Sequence, residues 1–358
     1  MDLAATLLGS GLSSVLIVFI AVVLLIVGFV FLVKGADWFV GGAAGIAEKL
    51  RVPTLIVGLT IVSFGTSAPE LATSIISAAQ GSADMAIGNV IGSNITNILL
   101  ILGLAAVICP LVVQKNTLHI DFPVLLGASI LILLLGGFDN EIGRIDGTVM
   151  FLLSLAYMVF LVVYAVRESK KTPTVSALNE HEVVIESAEH VEKNEKKGIA
   201  AWIEKMSQHT WFLALLTVVG LVFVVAGALF GVIPGATVVA TKIGISEKVI
   251  GLTVVAIGTS LPELVTCVIA AKKGETDIAV GDIVGSNIFN VIRTLGLCAM
   301  ILPLPFANSF WIDGSIALGA AVLLSVLGYC KGHKLRRWAG ILMLGCFAAY
   351  YVYLFAFV

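Results

Sequence analysis

Two acidic residues stand in stretches that are otherwise apolar enough to cross a membrane. Glu70 and Glu263 each follow a proline, in the segments GTSAPE and GTSLPE. The proline removes a helical hydrogen bond, and a carboxylate at mid-bilayer costs roughly 3 kcal/mol or more. Carboxylates, hydroxyls and main-chain carbonyls released by a proline are hard oxygen ligands, which suit Na⁺ or Ca²⁺. These residue types therefore predict a cation site inside a membrane.

The two acidic segments belong to one repeated unit. Residues 58–103 align without a gap with residues 251–296, at a constant offset of 193 positions, and about half of the positions are identical. A duplication of this length is typical of membrane proteins whose binding site lies where two broken helices meet.

Further oxygen ligands recur at fixed distances from each glutamate. Thr66 and Ser67 precede Glu70 by four and three residues, so that they share its helix face, and Ser93 and Asn97 are four apart on the next predicted helix. The second copy repeats this set as Thr259, Ser260, Ser286 and Asn290. No histidine falls at the centre of an apolar stretch and no cysteine falls among these positions, which disfavours Zn²⁺ or Cu⁺. We expect no cofactor beyond the cations themselves.

The composition sets the class of protein that must position these groups. The chain has 358 residues, of which 59% are hydrophobic and 12% charged, and its mean hydropathy is +1.08. Such a chain is a multi-span membrane protein surrounded by lipid. Its net charge of −2 and the lack of a basic, aromatic cluster predict no nucleic-acid partner. The five cysteines form no CxxC pair, and nothing indicates an obligate protein partner.

Apolar stretches predict an all-α integral membrane protein with ten transmembrane helices. The predicted spans are about 14–45, 54–79, 84–108, 120–137, 146–167, 209–243, 248–272, 277–302, 309–330 and 335–357. Residues 168–207 are a charged linker between a first half, 1–167, and a second half, 208–358. Because each half has five spans, the second must enter the membrane from the opposite side. The two five-helix repeats are therefore predicted to be inverted, with helices 2 and 7 broken.

The distribution of basic residues predicts the orientation. If the linker is cytoplasmic, only Arg144, Lys242 and Lys248 among the loop lysines and arginines fall outside, and the opposite orientation reverses the count. We therefore expect a multi-pass protein of the cell (inner) membrane with both termini extracytoplasmic.

The paired motifs resemble a known family. GTSAPE with GNVIGSNITN, and GTSLPE with GDIVGSNIFN, are similar to the two alpha-repeats of the cation/Ca²⁺ antiporter superfamily, in particular its prokaryotic sodium/calcium exchanger branch. The resemblance covers both repeats and the five-plus-five plan. It implies a central site formed by helices 2, 3, 7 and 8, with helices 1 and 6 moving past it to give alternating access. It also implies that several Na⁺ compete with one Ca²⁺.

The resemblance also implies roles for single residues. Glu70 and Glu263 would bind both ions, and Asn97 and Asn290 would border the middle of the site. The sodium positions would be completed by hydroxyls and by two main-chain carbonyls. These groups belong to Thr66, Ser67, Ser93, Thr259, Ser260, Ser286, Ser63 and Ala256. Some family members have aspartate where this chain has Asn290.

Two further departures from internal symmetry mark candidate modulators of the site. Asp282 stands where the first copy has Asn89, and it is either an extra charge near the site or a polar group bonded to a neighbouring helix. Arg293 stands where the first copy has Leu100. It either pairs with a nearby carboxylate or reaches the helix end, in a structural or gating role, or it modulates ion binding directly.

Three classes of function fit these residues to different degrees. The favoured one is secondary active antiport of Na⁺ against Ca²⁺ by alternating access, and a proton-coupled exchanger of Ca²⁺ or another cation is the alternative. An uncoupled cation channel is less favoured, because two broken helices block the midplane. An enzyme is disfavoured, since the predicted spans contain no Ser/His, Asp/Asp or His/Glu pair.

Overall fold

The computed structural model describes residues 3–50, 52–171, 209–244, 256–330 and 332–357, which are mostly helical. Eight helices of this part are long and apolar enough to cross a membrane, and the bent pair Thr54–Thr66 and Ala68–Ala79 gives a ninth. These nine correspond in order to predicted spans one to six and eight to ten. Predicted span seven begins at 248, and residues 245–255 lie outside the described residues. The protein is thus a multi-span helical membrane protein.

The first half begins with a short helix and one very long one. Its helices are α1 (Leu3–Leu8), α2 (Ser14–Leu50), α3 (Thr54–Val57), α4 (Ser63–Thr66), α5 (Ala68–Ala79), α6 (Ala83–Ile95), α7 (Gly103–Ile108), α8 (Phe122–Asp139) and α9 (Arg144–Lys171). Strands β1 (Leu111–Val112) and β2 (Glu141–Ile142) are two residues each. Helix α9 runs four residues into the predicted linker, and residues 172–207 lie outside the described part.

The described elements of the second half follow an order similar to that of the first. Its helices are α10 (Thr210–Ala226), α11 (Ile233–Lys242), α12 (Ala256–Thr259), α13 (Leu261–Lys272), α14 (Thr276–Phe289), α15 (Gly296–Ile301), α16 (Asn308–Tyr329) and α17 (Arg337–Phe357). Strands β3 (Leu304–Pro305) and β4 (Lys334–Leu335) are again two residues each.

Several helices are joined without a break by a π-helical turn. The turns that concern the site are Gly58–Val62 between α3 and α4, Thr96–Leu102 between α6 and α7, and Asn290–Leu295 between α14 and α15. Two of them contain the asparagines predicted to line the site, Asn97 and Asn290. Such wide turns are common at functional sites, because they change the direction in which side chains leave the helix. These turns were not predicted from the sequence.

The four short strands connect the two halves reciprocally. Strand β1 pairs with β4, with Leu111 opposite Leu335, and β2 pairs with β3, with Ile142 opposite Leu304. A shift of 193 positions converts one pairing into the other. Equivalent strands that exchange partners in this way are related by a local two-fold axis.

The long helices α2 and α10 pack closely through glycines. A Cβ atom on Gly35 would lie 2.8 Å from the main-chain oxygen of Gly220, and one on Gly28 would lie 2.8 Å from that of Gly227. Small residues at such positions let two helix backbones approach each other inside a membrane. Predicted helices 1 and 6 therefore form one closely packed pair.

Polar groups are concentrated in the interior helices. Every residue from Ile278 to Leu295 is buried, including the polar ones, whereas α2, α9 and α17 expose many large apolar side chains. This distribution is the one expected of a protein with lipid around it and an internal polar site.

Candidate ion-binding site

Both broken helices are interrupted at a serine that precedes the proline. Ser67, with φ −78° and ψ 9°, ends α4, and α5 begins at Ala68 with its axis turned by 46°. Ser260, with φ −88° and ψ 7°, occupies the same place before α13. The prolines Pro69 and Pro262 then lie in the first turn of the new helices, where a missing N–H leaves no helical bond unmade.

The break places each glutamate in the first turn of a helix. Glu70 is the third residue of α5 and Glu263 the third of α13. The N-terminal end of a helix carries a partial positive charge, which favours a carboxylate there. The main-chain oxygen of Ser63, a predicted ligand, accepts a hydrogen bond from the N–H of Ser67 at 3.1 Å.

The two glutamates meet through reciprocal contacts with serines. Ser67 Oγ donates to Glu263 Oε1 at 3.0 Å, and Ser260 Oγ donates to Glu70 Oε1 at 3.1 Å. Both carboxylates are fully buried, at 0% exposure. The remaining oxygen of each, Oε2, has no hydrogen-bond partner among the described residues. Each predicted Ser–Glu set is therefore assembled from both repeats and leaves an open carboxylate oxygen.

No basic side chain among the described residues forms an ion pair with either glutamate. Burying two ionised carboxylates without a positive partner is strongly unfavourable. The pair therefore requires cations or protons as counter-charges, and the open Oε2 atoms are free to bind them.

The asparagines form a second reciprocal set. Asn94 Nδ2 donates to the main-chain oxygen of Asn287 at 3.1 Å, and Asn287 Nδ2 donates to that of Asn94 at 3.2 Å. Asn97 Nδ2 donates to Asn287 Oδ1 at 3.0 Å. Of these three asparagines, only Asn97 was predicted from the sequence, although the GSN triplet of both motifs contains the other two. The local two-fold axis passes between them.

Both predicted asparagine ligands keep open polar atoms. Asn97 Oδ1 and both side-chain polar atoms of Asn290 have no hydrogen-bond partner in the described chain, and both residues have 0% exposure. Ser93 and Thr259 are also buried, at 4% and 3% exposure. Ala256, whose main-chain carbonyl is a predicted cation ligand, is the first residue of α12.

Not all predicted hydroxyl ligands face the glutamates. Thr66 Oγ1 lies 3.0 Å and Ser286 Oγ 3.4 Å from Asp282 Oδ1. Thr266 Oγ1 lies 2.9 Å from Asp282 Oδ2, and Thr266 is not among the residues predicted from the sequence. A signal was present, because a threonine three residues after the glutamate occurs in both copies, as Thr73 and Thr266.

The first-copy equivalent of Asp282 has different surroundings. Asn89 Nδ2 donates to Ser74 Oγ at 2.9 Å and to the main-chain oxygen of Glu70 at 3.3 Å. Asn89 therefore supports the helix that carries Glu70 and brings no charge.

Arg293 is buried between aromatic rings. Its guanidinium lies 4.3 Å from the ring centre of Phe64 and 5.1 Å from that of Phe289, and its exposure is 6%. Its nitrogens have no hydrogen-bond partner among the described residues. The pair with a nearby carboxylate, which was one expectation, is therefore wrong for this conformation. Two rings stabilise the cation instead.

The described residues contain no larger cluster of acidic, histidine and cysteine side chains around the two glutamates. In the described ranges, no group of three or more His, Cys, Asp and Glu side chains is arranged to hold a metal ion. A cation at the glutamates must therefore also use hydroxyl, amide and carbonyl oxygens, which are the neutral ligands of Na⁺ and Ca²⁺.

The sequence model of one family, described as sodium/calcium exchanger protein, matches residues 20–163 and 212–356. The chain belongs to this family. The two matched ranges lie on either side of the charged linker and include both glutamates. The resemblance drawn from the motifs is thereby confirmed, and this exchanger-family protein is a membrane transporter of the cation/Ca²⁺ antiporter superfamily.

Relatives match this exchanger-family chain over almost its whole length. The putative antiporter CaxA of Alkalimonas amylolytica is 36% identical, over 94% of the chain and 99% of CaxA. The inner membrane protein YrbG of Escherichia coli is 35% identical, over 94% and 97%. The sodium/calcium exchanger MaX1 of Methanosarcina acetivorans is 32% identical, over 93% and 97%.

Solved structures of the sodium-calcium exchanger NCX_Mj have the same fold. One of them, soaked with zero Na⁺ and Ca²⁺, superposes with a TM-score of 0.76 at 31% identity, over 94% of this exchanger-family chain and 99% of NCX_Mj. Another, soaked with 2.5 mM Na⁺ and 0.1 mM Ca²⁺, gives a TM-score of 0.75 at 30% identity.

Proposed function

We propose that this exchanger-family protein is a secondary active antiporter that exchanges Na⁺ for Ca²⁺ by alternating access. The observation that carries the proposal is the pair of fully buried glutamates, each bound to the serine of the other repeat and neither compensated by a basic side chain. The negative charge of the two carboxylates is balanced either by one Ca²⁺ or by more than one Na⁺. The two ions would then compete for the same negative charges.

The proposed ligands combine charge with neutral oxygens. Glu70 and Glu263 bind both ions, and Asn97 and Asn290 border the middle of the site. Hydroxyl and carbonyl oxygens complete the sodium positions. They belong to Ser63, Thr66, Ser67, Ser93, Ala256, Thr259, Ser260 and Ser286. The open Oε2 atoms of the glutamates and the open amide atoms support this assignment, because each has a lone pair or a dipole without a partner.

We further propose ten transmembrane helices in two inverted five-helix repeats, 1–167 and 208–358, joined by a cytoplasmic linker at 168–207. The reciprocal strand pairs and the reciprocal asparagine and serine contacts support a two-fold relation between the repeats. The positive-inside count supports extracytoplasmic termini. The E. coli relative is named an inner membrane protein, which supports the same location here.

The transport step is a change of population between two states. Solvent does not reach either glutamate in the described conformation, since both have 0% exposure. The closely packed pair of α2 and α10 is the proposed moving element. An empty, doubly charged site disfavours crossing, because burying uncompensated carboxylates is costly. Filling the site with Ca²⁺ or with Na⁺ removes this cost, and this requirement couples the two flows.

Flux measurements with separately controlled gradients test the proposal. Purified full-length protein in liposomes should take up Ca²⁺ when internal Na⁺ exceeds external Na⁺, and should stop when Na⁺ is replaced by K⁺. Ca²⁺ uptake that ignores Na⁺ and follows a pH gradient would replace Na⁺ by H⁺ as the coupling ion. A current that persists without any counter-ion would indicate a channel and refute antiport.

A further inference from the structure

A third fully buried carboxylate lies in the membrane interior close to the proposed ligands. Asp282 on α14, at 0% exposure, contacts three hydroxyl groups from both repeats. They are Thr66 on α4 at 3.0 Å, Thr266 on α13 at 2.9 Å and Ser286 on α14 at 3.4 Å. Five hard oxygens, two of them from the carboxylate, are thereby gathered in one place.

The protons of the two threonine hydroxyls are too few for their acceptors, whereas Ser286 Oγ can donate to Asp282 Oδ1 at 3.4 Å. The single proton of Thr66 has two acceptors, the main-chain oxygen of Val62 at 3.1 Å and Asp282 Oδ1 at 3.0 Å. The single proton of Thr266 has three acceptors, the main-chain oxygens of Pro262 at 2.8 Å and Glu263 at 3.1 Å and Asp282 Oδ2 at 2.9 Å. A hydroxyl that donates to its own helix turns lone pairs toward the carboxylate. Oxygens facing each other in this way repel unless a positive charge joins them.

We propose that one of the sodium positions has Asp282 as its carboxylate and holds a single Na⁺ with the hydroxyls of Thr66, Thr266 and Ser286. One carboxylate with neutral oxygens balances a single positive charge, whereas the two glutamates balance Ca²⁺. The choice of Na⁺ rests on the function proposed above. With Ca²⁺ at the glutamate pair, an ionised Asp282 still needs one positive charge, so the position adds one Na⁺ to the ions that this chain binds.

The first repeat supplies an internal comparison. Its Asn89 is neutral and is already bonded to Ser74 Oγ and to the main-chain oxygen of Glu70. The chain therefore has the charged arrangement on one side of its two-fold axis only. In the described residues, Asp282 also forms no cluster of three acidic, histidine or cysteine side chains suited to one metal ion. The proposed sodium position thus shares Thr66 and Ser286 with the ligand set given above, and takes its negative charge from Asp282.

Sodium binding to the purified full-length protein tests this position without requiring transport. Thermal unfolding is followed in detergent while NaCl replaces choline chloride at constant ionic strength, for the wild type and for Asp282→Asn. The variant should need at least about tenfold more Na⁺ for half-maximal stabilisation. The steepness of its Na⁺ dependence should correspond to about one bound Na⁺ fewer. Stabilisation by Ca²⁺ should stay within about threefold, because both glutamates remain.

Asp121→Asn is the matched control. Asp121 is a buried carboxylate at 3% exposure that accepts a hydrogen bond from Tyr157 at 3.0 Å, and its replacement removes the same charge away from the site. This variant should leave the Na⁺ dependence unchanged. A similar loss in both variants would attribute the effect to buried charge in general and overturn the proposal.

A second pair of variants keeps the charge of Asp282. Thr266→Ala removes one hydroxyl oxygen and should raise the Na⁺ requirement, while Thr266→Ser should restore it. If Asp282→Asn does not fold, this pair decides, and an unchanged Na⁺ curve for Thr266→Ala overturns the sodium position. The sodium position is also overturned if Asp282→Asn has the wild-type Na⁺ curve. It is equally overturned if Asp282→Asn changes only how thermal stability depends on pH.

Ca²⁺ uptake in liposomes separates this proposal from the one on which it rests. A wild type without Na⁺-driven uptake, but with a Na⁺ stabilisation that Asp282→Asn loses, refutes exchange and supports the position. Na⁺-driven uptake together with an unaltered Na⁺ curve in Asp282→Asn refutes the position alone.

Discussion

Replacing Glu70 with Gln removes one negative charge from the site while keeping the shape of the side chain. The hydrogen bond from Ser260 Oγ to Glu70 Oε1, at 3.1 Å, can be accepted equally by the amide oxygen of Gln. The new amide nitrogen replaces Oε2, which has no hydrogen-bond partner in the described part of the chain. We therefore expect Glu70→Gln to fold and insert normally but to lose affinity for Ca²⁺.

The size of this loss follows from burial. Removing one partner from a buried, paired charge costs about 2–5 kcal/mol. This corresponds to Ca²⁺ binding weaker by about thirtyfold to several thousandfold. Since Ser67 contacts Glu263 at 3.0 Å in the reciprocal arrangement, Glu263→Gln should lose affinity by a factor of the same order.

Calorimetric titration of purified protein with Ca²⁺ measures the loss, and Ca²⁺ uptake in liposomes measures its consequence. Asp313→Asn is the control, because Asp313 is a carboxylate within a membrane helix that accepts a hydrogen bond from Tyr350 at 3.2 Å, away from the glutamates. It should bind and transport Ca²⁺ like the wild type. The reasoning is refuted if either glutamine variant, folded and monodisperse, binds Ca²⁺ within about threefold of the wild type.

Four other substitutions, one of them with a matched control, test the packing and the contacts of the site. Ser67→Ala and Ser260→Ala each remove one hydrogen bond to a charged group, worth about 1.5–3 kcal/mol, and should lower the melting temperature to a similar extent; a large inequality would contradict the reciprocal geometry. Gly281→Ala would place a Cβ 2.7 Å from the main-chain oxygen of Leu55, so overpacking should cost about 1–3 kcal/mol in a denaturation experiment. Gly345→Ala, where no described heavy atom lies within 4 Å, should leave the stability unchanged. Arg293→Leu, which restores the residue type of the first copy, should raise stability by up to about 4 kcal/mol, because it replaces a buried charge without a hydrogen-bond partner. A clear fall in the melting temperature of Arg293→Leu would mean that the guanidinium has a strong partner.

The site residues that could be predicted from the sequence are mainly those that recur in both copies of the repeat. Glu70 and Glu263 are recognisable because a charge in an apolar stretch is costly and because it recurs after 193 positions. The family membership predicted from the same motifs is confirmed by the match to residues 20–163 and 212–356. Helical spacing predicts that Ser67 shares a face with Glu70, whereas the helix is interrupted at Ser67 and its hydroxyl bonds to Glu263.

The sequence by itself determined the class of protein, the family and the pair of acidic residues, because apolar length, composition and repetition are properties of the chain alone. Only the tertiary structure decided which hydroxyl group contacts which carboxylate. In the folded chain Thr66 and Thr266 contact Asp282, and Asn94 bonds to Asn287. The π-helical turns and the strand pairs between the repeats were likewise visible only in the structure. The physical reason is that spacing along a helix fixes the direction of a side chain, while the group that it meets belongs to another helix, which for Thr66 and Asn94 lies about two hundred residues away along the chain. That partner is selected by how the two repeats pack across their two-fold axis.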